Sequence, residues 1–184
     1  AEIGRDDLAQ DPALKDNTGR VIRVAEIDGV IGQWTAQHTV DEVLADRVAE
    51  LVASRDGARG FFVVSLAGDG PLMDRLPEPL VLQLRLAGEG VVDLSVRNLA
   101  MSTAMALHHQ RAGDAAQQGA SERVQTRCTE LLRGLEPQAV KQRLETLLAA
   151  TAGEGDDVAF LERWGYDAEQ TAAIAAAIEA VAEG

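Results

Sequence analysis

Residues 90–132 read GVVDLSVRNLAMSTAMALHHQRAGDAAQQGASERVQTRCTELL, and this stretch decides the fold. Its first half carries apolar residues at helical spacing on two nearly opposite faces, which is typical of a helix enclosed by protein. The pair Gly113-Asp114 then predicts a corner, after which a more polar helix runs back. We therefore predict a mainly α protein, a multi-helix bundle packed around a buried central helix at about residues 91–111.

The rest of the chain also favours helices. Apolar residues make up 46% of the 184 residues, but aromatic residues only 3%, a composition that suits closely packed helices better than aromatic-rich strands. A capping box at Thr39–Glu42 predicts the start of a helix that ends at Asp56-Gly57. Periodicity predicts another helix over Leu80–Leu86, and Pro137 is placed to open a further one.

One short apolar run leaves strand and helix open. The segment Gly60–Gly68 reads GFFVVSLAG, a β-branched and aromatic run between glycines, which favours a strand at 61–66. Such a strand would need a ladder partner, and the apolar segment 21–27 is the candidate. A short buried helix explains the same residues about equally well. The fold prediction therefore keeps a short two-stranded element (21–27, 61–66) as an alternative.

The C-terminal end is expected to form a separate element. A glycine-rich segment predicts a boundary between a main helical domain, 1–152, and an acidic helical hairpin, 153–184, packed on it. The hairpin has eight acids and one base. Gly165 predicts its corner, and Asp167 with Gln170 three residues later forms a capping box for its second helix.

Charge and cysteine content exclude several classes of function. Thirty acids and seventeen bases give a net charge of −13, which opposes binding to nucleic acid or to an anionic membrane, so we expect neither partner. No apolar run approaches the ~20 residues of a membrane span. The only cysteine is Cys128, which excludes an internal disulfide and a thiolate zinc site and fits a cytoplasmic location.

Polar residues of the central helix are the candidates for a ligand site, because a buried polar group needs a partner. They are Arg97, Asn98, Ser102, His108 and His109. The adjacent histidines point about 100° apart, so they do not easily share one metal ion. Ser102 lies about 10.5 Å of helix rise from His109, too far for a nucleophile and its base. We therefore predict no catalytic residue, metal or cofactor; a divalent-metal site that adds His38 is the alternative.

Aromatic residues concentrate in the acidic hairpin, at Phe160, Trp164 and Tyr166. Such side chains are enriched in protein interfaces, so an acidic hairpin that exposes them could bind a basic partner. The competing interpretation is that the rings pin the hairpin to the core. We predict a non-catalytic protein-protein interaction or assembly protein, with a protein partner or self-association. The alternative is a small-molecule-binding protein or enzyme with a polar pocket beside the central helix.

Overall fold

The computed structural model describes residues 41–183, which form eight α-helices, one 3-10 turn and no strand. The elements in chain order are α1 (Asp41–Val52), α2 (Arg55–Ala67), the 3-10 turn (Pro71–Asp74), α3 (Glu78–Leu86), α4 (Glu89–Ala112), α5 (Ala115–Gly134), α6 (Pro137–Thr151), α7 (Val158–Trp164) and α8 (Ala168–Ala182). The predicted mainly α, helical-bundle fold is confirmed. The longest helix, α4, corresponds to the helix predicted at about residues 91–111, and a corner at Gly113 leads into α5.

The strand alternative for 61–66 is wrong, because these residues lie inside α2; its predicted partner, 21–27, lies outside the described residues. Ser54 caps this helix by accepting a hydrogen bond from the backbone N–H of Gly57 at 3.0 Å. Consecutive side chains in the run are buried, including Phe61 at 0% and Phe62 at 1% exposure. Burial of neighbouring positions hides the helical period, which explains why the sequence pattern looked like that of a buried strand.

The predicted helix end at Asp56-Gly57 is also wrong, because α1 already ends at Val52 and these two residues belong to the first turn of α2. The two helices meet at a close contact. A Cβ atom on Gly57 would lie 2.0 Å from the carbonyl oxygen of Leu51, so only glycine lets the backbones approach this closely. Gly57 therefore allows α1 and α2 to approach closely, and it does not mark the end of a helix. The proposed cap residue of α1, Thr39, lies outside the described residues.

Two compact units, residues 1–91 and 92–184, divide the chain. In the described part of the first unit, α1 packs against both α2 and α3. Its buried residues are almost all apolar, among them Val48, Phe61, Leu80 and Leu84, each 0% exposed. This unit is held together mainly by close-packed aliphatic and aromatic side chains.

The second unit packs α8 against α5 and α6, and the short helix α7 against α6. Helix α8 buries Ile174, Ala177, Ile178 and Val181 and leaves a polar, alanine-rich face exposed. The predicted corner and cap are confirmed. Gly165 adopts a left-handed conformation with φ 63°, which glycine tolerates best, and Asp167 and Gln170 form the capping box of α8.

The predicted boundary between 1–152 and 153–184 stays a prediction.

Within residues 41–183, no helix is both long enough and apolar enough to cross a membrane.

Candidate functional site

The aromatic residues of the hairpin differ in their surroundings. Trp164, the last residue of α7, is 42% exposed, whereas Phe160 and Tyr166 are half-buried. The guanidinium of Arg97 lies 4.8 Å from the ring centroid of Phe160, a cation-π contact. Burial raises the pKa of Tyr166 to about 12. Phe160 and Tyr166 thus help to fix the hairpin, and Trp164 is its most exposed aromatic residue.

Four charged residues beside α7 form an ion-pair cluster: Asp93, Arg97, Arg143 and Asp157. Asp93 and Arg97 lie one turn apart on α4, Arg143 lies on α6, and Asp157 immediately precedes α7. Arg97 Nε lies 3.0 Å from Asp93 Oδ2, and Arg143 Nε lies 2.8 Å from Asp93 Oδ1. Asp157 accepts from Arg97 Nη2 at 3.5 Å and from Arg143 Nη1. The cluster therefore joins three helices around the start of the hairpin.

Two members of this cluster are largely buried, which distinguishes it from an ion pair on the surface. The side chains of Asp157 and Arg143 are only 7% and 16% exposed. Burial pushes the pKa of Asp93 upward, but the hydrogen bonds and charges of Arg143 and Arg97 outweigh it, so this pKa lies below its ordinary value of 3.8. Arg143 Nη2 is buried without a hydrogen-bond partner in the described part of the chain, which lowers the net stabilisation.

A second polar link holds the far end of the hairpin. Arg111, in the last turn of α4, pairs with Asp167 at 2.5 Å and with Glu169. The hydrogen bond from Arg111, with that from the backbone of Gln170, lowers the pKa of Asp167 to about 2. Gln170 Nε2 also donates to the carbonyl oxygen of Ala104 at 3.0 Å. The start of α8 is therefore fixed to α4 by both charged and neutral hydrogen bonds.

The end of α8 has its own contact with a neighbouring helix. Arg133 Nη2 donates to the carbonyl oxygen of Ala180 at 2.7 Å. A cation at this position satisfies a terminal carbonyl and suits the negative end of the helix dipole. Both ends of α8 are thus held by arginines from other helices.

Most of the predicted ligand residues bond within their own helix. Asn98 Nδ2 donates to the carbonyl oxygen of Leu94 at 2.8 Å, and Ser102 Oγ donates to that of Leu99 at 3.1 Å. His108 is exposed and His109 half-buried, and their rings meet edge to face with centroids 5.4 Å apart. Only Arg97 joins a polar cluster built from several elements. The structure therefore does not gather the five candidates around one point.

The described residues offer little for metal or thiol chemistry. Between residues 41 and 183, no group of three or more His, Cys, Asp or Glu side chains is arranged to hold a metal ion. His38, the third residue of the alternative metal site, lies outside this range. Burial raises the pKa of Cys128 to about 12, so its thiol stays protonated at neutral pH and is a poor nucleophile.

Sequence reasoning missed three members of the ion-pair cluster: Asp93, Arg143 and Asp157. One signal was present, since Asp93 and Arg97 have the i, i+4 spacing of a helix-surface ion pair. Arg143 is 50 residues from Asp93 and 14 from Asp157 in the chain, so only folding brings these groups together.

Comparison with known proteins identifies a family to which the chain is similar. A search of curated proteins and a search of solved structures found no similar protein. A scan against protein families matches residues 24–181 to the family described as Uncharacterised conserved protein UCP020893. The match covers well over half of the chain and includes the ion-pair cluster and nearly all of the hairpin. The chain therefore belongs to the family Uncharacterised conserved protein UCP020893.

Proposed function

We propose that the protein is a non-catalytic interaction protein, and that its C-terminal hairpin, formed by α7, Gly165 and α8, binds a basic segment of a protein partner. The observation that carries the proposal is the 42% exposure of Trp164 within this strongly acidic hairpin. An exposed tryptophan offers a large apolar contact together with an N–H donor. Tryptophan is also among the residues most enriched in binding hot spots.

The charge of the hairpin supports a basic partner. Three of its acids already pair with arginines: Asp157, Asp167 and Glu169. Five further acids are exposed and make no ion pair within the described residues: Glu154, Asp156, Glu162, Glu179 and Glu183. The hairpin carries a single base, Arg163. Such an excess attracts a cationic partner and speeds its association at low salt.

The rigidity of the hairpin also supports binding. The ion-pair cluster fixes the start of α7, the capping box and Arg111 fix the start of α8, and Arg133 holds its end. A surface that is ordered before binding avoids part of the entropy cost of association.

The geometry gives less support to the alternative of a small-molecule pocket beside the central helix. Asn98 and Ser102 use their side chains on carbonyl oxygens of their own helix. Arg97 is engaged by Asp93, Asp157 and Phe160. These polar groups are thus already satisfied by the protein itself, and the interaction function is the better conclusion.

The proposal is tested by titrating the full chain with a lysine- and arginine-rich amphipathic peptide, using calorimetry at about 50 and about 200 mM salt. We expect binding that weakens at the higher salt concentration, because charge pairs at the rim are screened. Trp164→Ala should raise Kd about tenfold or more, the loss expected for a tryptophan hot spot. An acidic peptide of the same pattern should not bind.

The matched control is Val43→Ala, which truncates an apolar side chain of similar exposure, 49%, on α1. It should leave the Kd for the basic peptide unchanged. Binding of the basic peptide that Trp164→Ala and Glu162→Gln both leave unchanged would contradict the proposal, and so would equal affinity for the acidic peptide.

A further inference from the structure

We propose that residues 156–164, which include α7, form a hinged strap that the ion-pair cluster holds closed. The strap opens as a unit about Gly155 and Gly165, while α6 and α8 stay folded. The structure describes the closed form. Because the proposal concerns a motion of the free chain, it is independent of whether a basic partner binds. Trp164 is the last residue of α7, so the strap fixes the position of this exposed tryptophan only while it is closed.

The first observation is how little apolar surface holds α7 in place. Leu161 is its only buried side chain, while Val158 and Phe160 are half-buried and the other four residues of the helix are exposed. The neighbouring helix α8, by comparison, buries four apolar side chains. Segments with few buried apolar contacts open locally at a lower free energy than the rest of a protein. Helix α7 should therefore open before its neighbours do.

The second observation is that the strap enters the ion-pair cluster through a single carboxylate, that of Asp157. The other three members of the cluster lie on α4 and α6. The two oxygens of Asp157 accept hydrogen bonds from Arg97 and Arg143. Arg143 Nη2 has no hydrogen-bond partner in the described part of the chain, so the closed cluster is not fully satisfied. Loss of the Asp157 contact therefore removes the ionic hold of both α4 and α6 at once.

The third observation is a glycine with positive φ at each end of the strap. Gly155 has a φ of 87° and Gly165 a φ of 63°. A Cβ atom at either position would meet no packed neighbour within 4 Å, so close packing does not require glycine there. Glycine adopts positive and negative φ about equally readily. Both ends can therefore change their backbone angles without a steric clash, as hinge residues do.

The fourth observation is that the elements on either side of the strap are fixed by contacts outside it. Before the strap, the backbone N–H of Glu154 donates to the carbonyl oxygen of Ala149 at 3.0 Å, which joins the chain to the end of α6. After the strap, the salt bridge between Arg111 and Asp167 holds the start of α8 to α4. The two neighbouring helices can therefore keep their positions while the strap between them moves.

The first experiment is native-state hydrogen exchange of the full chain, resolved by NMR to single amides. The amides of Leu161 and Gly165 report the opening, because they donate to the carbonyl oxygens of Asp157 and Glu162. We expect their protection factors to be at least about tenfold lower than those in the middle of α6 and α8. Asp157→Asn should lower them by a further factor of about ten or more, because it breaks a largely buried ion pair, and should leave α8 unchanged.

The matched control is Asp156→Asn, since Asp156 is the adjacent acid, is exposed and lies outside the ion-pair cluster. It should leave the protection of α7 unchanged. Circular dichroism checks that both variants are folded. Equal protection of α6, α7 and α8 in the wild type overturns the proposal. An effect of Asp157→Asn that is as large in α8 as in α7 also overturns it.

A second experiment tests the hinge with Gly155→Ala. This substitution should lower the protection of α7 about fivefold or more, because a residue with a Cβ atom disfavours the positive φ of the closed form. The matched control is Gly119→Ala, inside α5, where φ is not positive and a Cβ atom has open space. It should leave α7 unchanged. A Gly155→Ala variant whose α7 is as protected as that of the wild type overturns the hinge at this position.

Limited proteolysis measures the same opening by a different route. Arg163 is the only basic residue after Arg143, so trypsin releases residues 164–184 when it cuts within the strap. Cleavage tracks the population of the open form when opening is fast. This fragment should appear before any cut at Lys141, which is exposed on α6, and about tenfold sooner in Asp157→Asn. A first cut at Lys141, with residues 164–184 still attached, contradicts an independently opening strap.

Discussion

The two units of the chain hold their helices together by different means. In residues 41–91, α1, α2 and α3 are joined by completely buried apolar side chains and by the close approach of Gly57 to Leu51. In residues 92–183, the short helix α7 buries a single side chain, Leu161, and depends on the ion-pair cluster and on the Arg97–Phe160 contact.

This difference in how the helices are held predicts which kind of change destabilises each unit most. Apolar burial does not depend on protonation, but a close-packed core is sensitive to lost volume. Ion pairs contribute little to the packing of a core, but they weaken when a carboxylate is protonated or when one partner is removed. The first unit should therefore be most sensitive to truncation in its core, and the hairpin to changes of charge.

The largest expected effect is that of Phe61→Ala in the first unit. Phe61 is 0% exposed and packs edge to face on Phe62 with centroids 5.3 Å apart. Its truncation should lower the free energy of unfolding by about 3–5 kcal/mol, as transfer and cavity terms add. Urea unfolding followed by circular dichroism measures the change. Leu82→Ala, at a 51% exposed site, is the control and should cost less than about 0.5 kcal/mol. Similar losses for the two variants would contradict the core assignment.

An intermediate effect is expected for Asp157→Asn in the ion-pair cluster. The substitution leaves Arg143, whose side chain is only 16% exposed, with one charged partner fewer. Breaking a buried pair costs ~3–5 kcal/mol, and the 38% exposure of Arg97 reduces this to about 2–3 kcal/mol. Urea unfolding measures the loss, and hydrogen exchange should place it in α7.

The control for this prediction is Glu50→Gln, which removes an ion pair of two exposed side chains, Arg47 and Glu50, on α1. It should change stability by less than about 1 kcal/mol, the usual value of a surface pair. Equal losses for Asp157→Asn and Glu50→Gln would show that the cluster contributes no more than a surface pair.

The smallest effect is expected on acidification. The pKa values of Asp93 and Asp167 are lowered on folding, that of Asp167 to about 2, so each contributes stability that is complete above its unfolded pKa near 3.8. The contribution is lost as the pH falls from about 4 towards about 2. Hydrogen exchange or NMR should therefore show α7 and the start of α8 loosening over this window, with Asp93→Asn reducing the pH dependence. Loosening confined to α1–α3 would contradict the comparison.

The fold was predictable where local chemistry decides it. The Gly165 corner and the Asp167–Gln170 capping box need only residues that are neighbours in the chain. Phe61–Leu66 was left open between strand and helix, because a buried segment shows no period from which the two can be told apart, and the structure decides for the helix. Prediction failed at Gly57, whose function is a contact with another helix.

The candidate site was predictable only in part. Trp164 was named from composition and is 42% exposed, whereas Phe160 lies against Arg97 inside the unit. The sequence analysis assigns Arg97 to a ligand pocket and Phe160 to a partner surface. Their contact depends on the packing of α7, which no local pattern encodes.

By itself, the sequence determined the helical class, several helix ends and caps, and the residues available for contacts. These follow from backbone propensity, capping and periodicity, which act over a few residues. Tertiary structure alone decided that Arg97 and Arg143 neutralise Asp93 and Asp157, and that Leu82 and Leu86 face outward while Leu80 and Leu84 are buried. The physical reason is that burial and charge pairing depend on residues that only folding brings within reach.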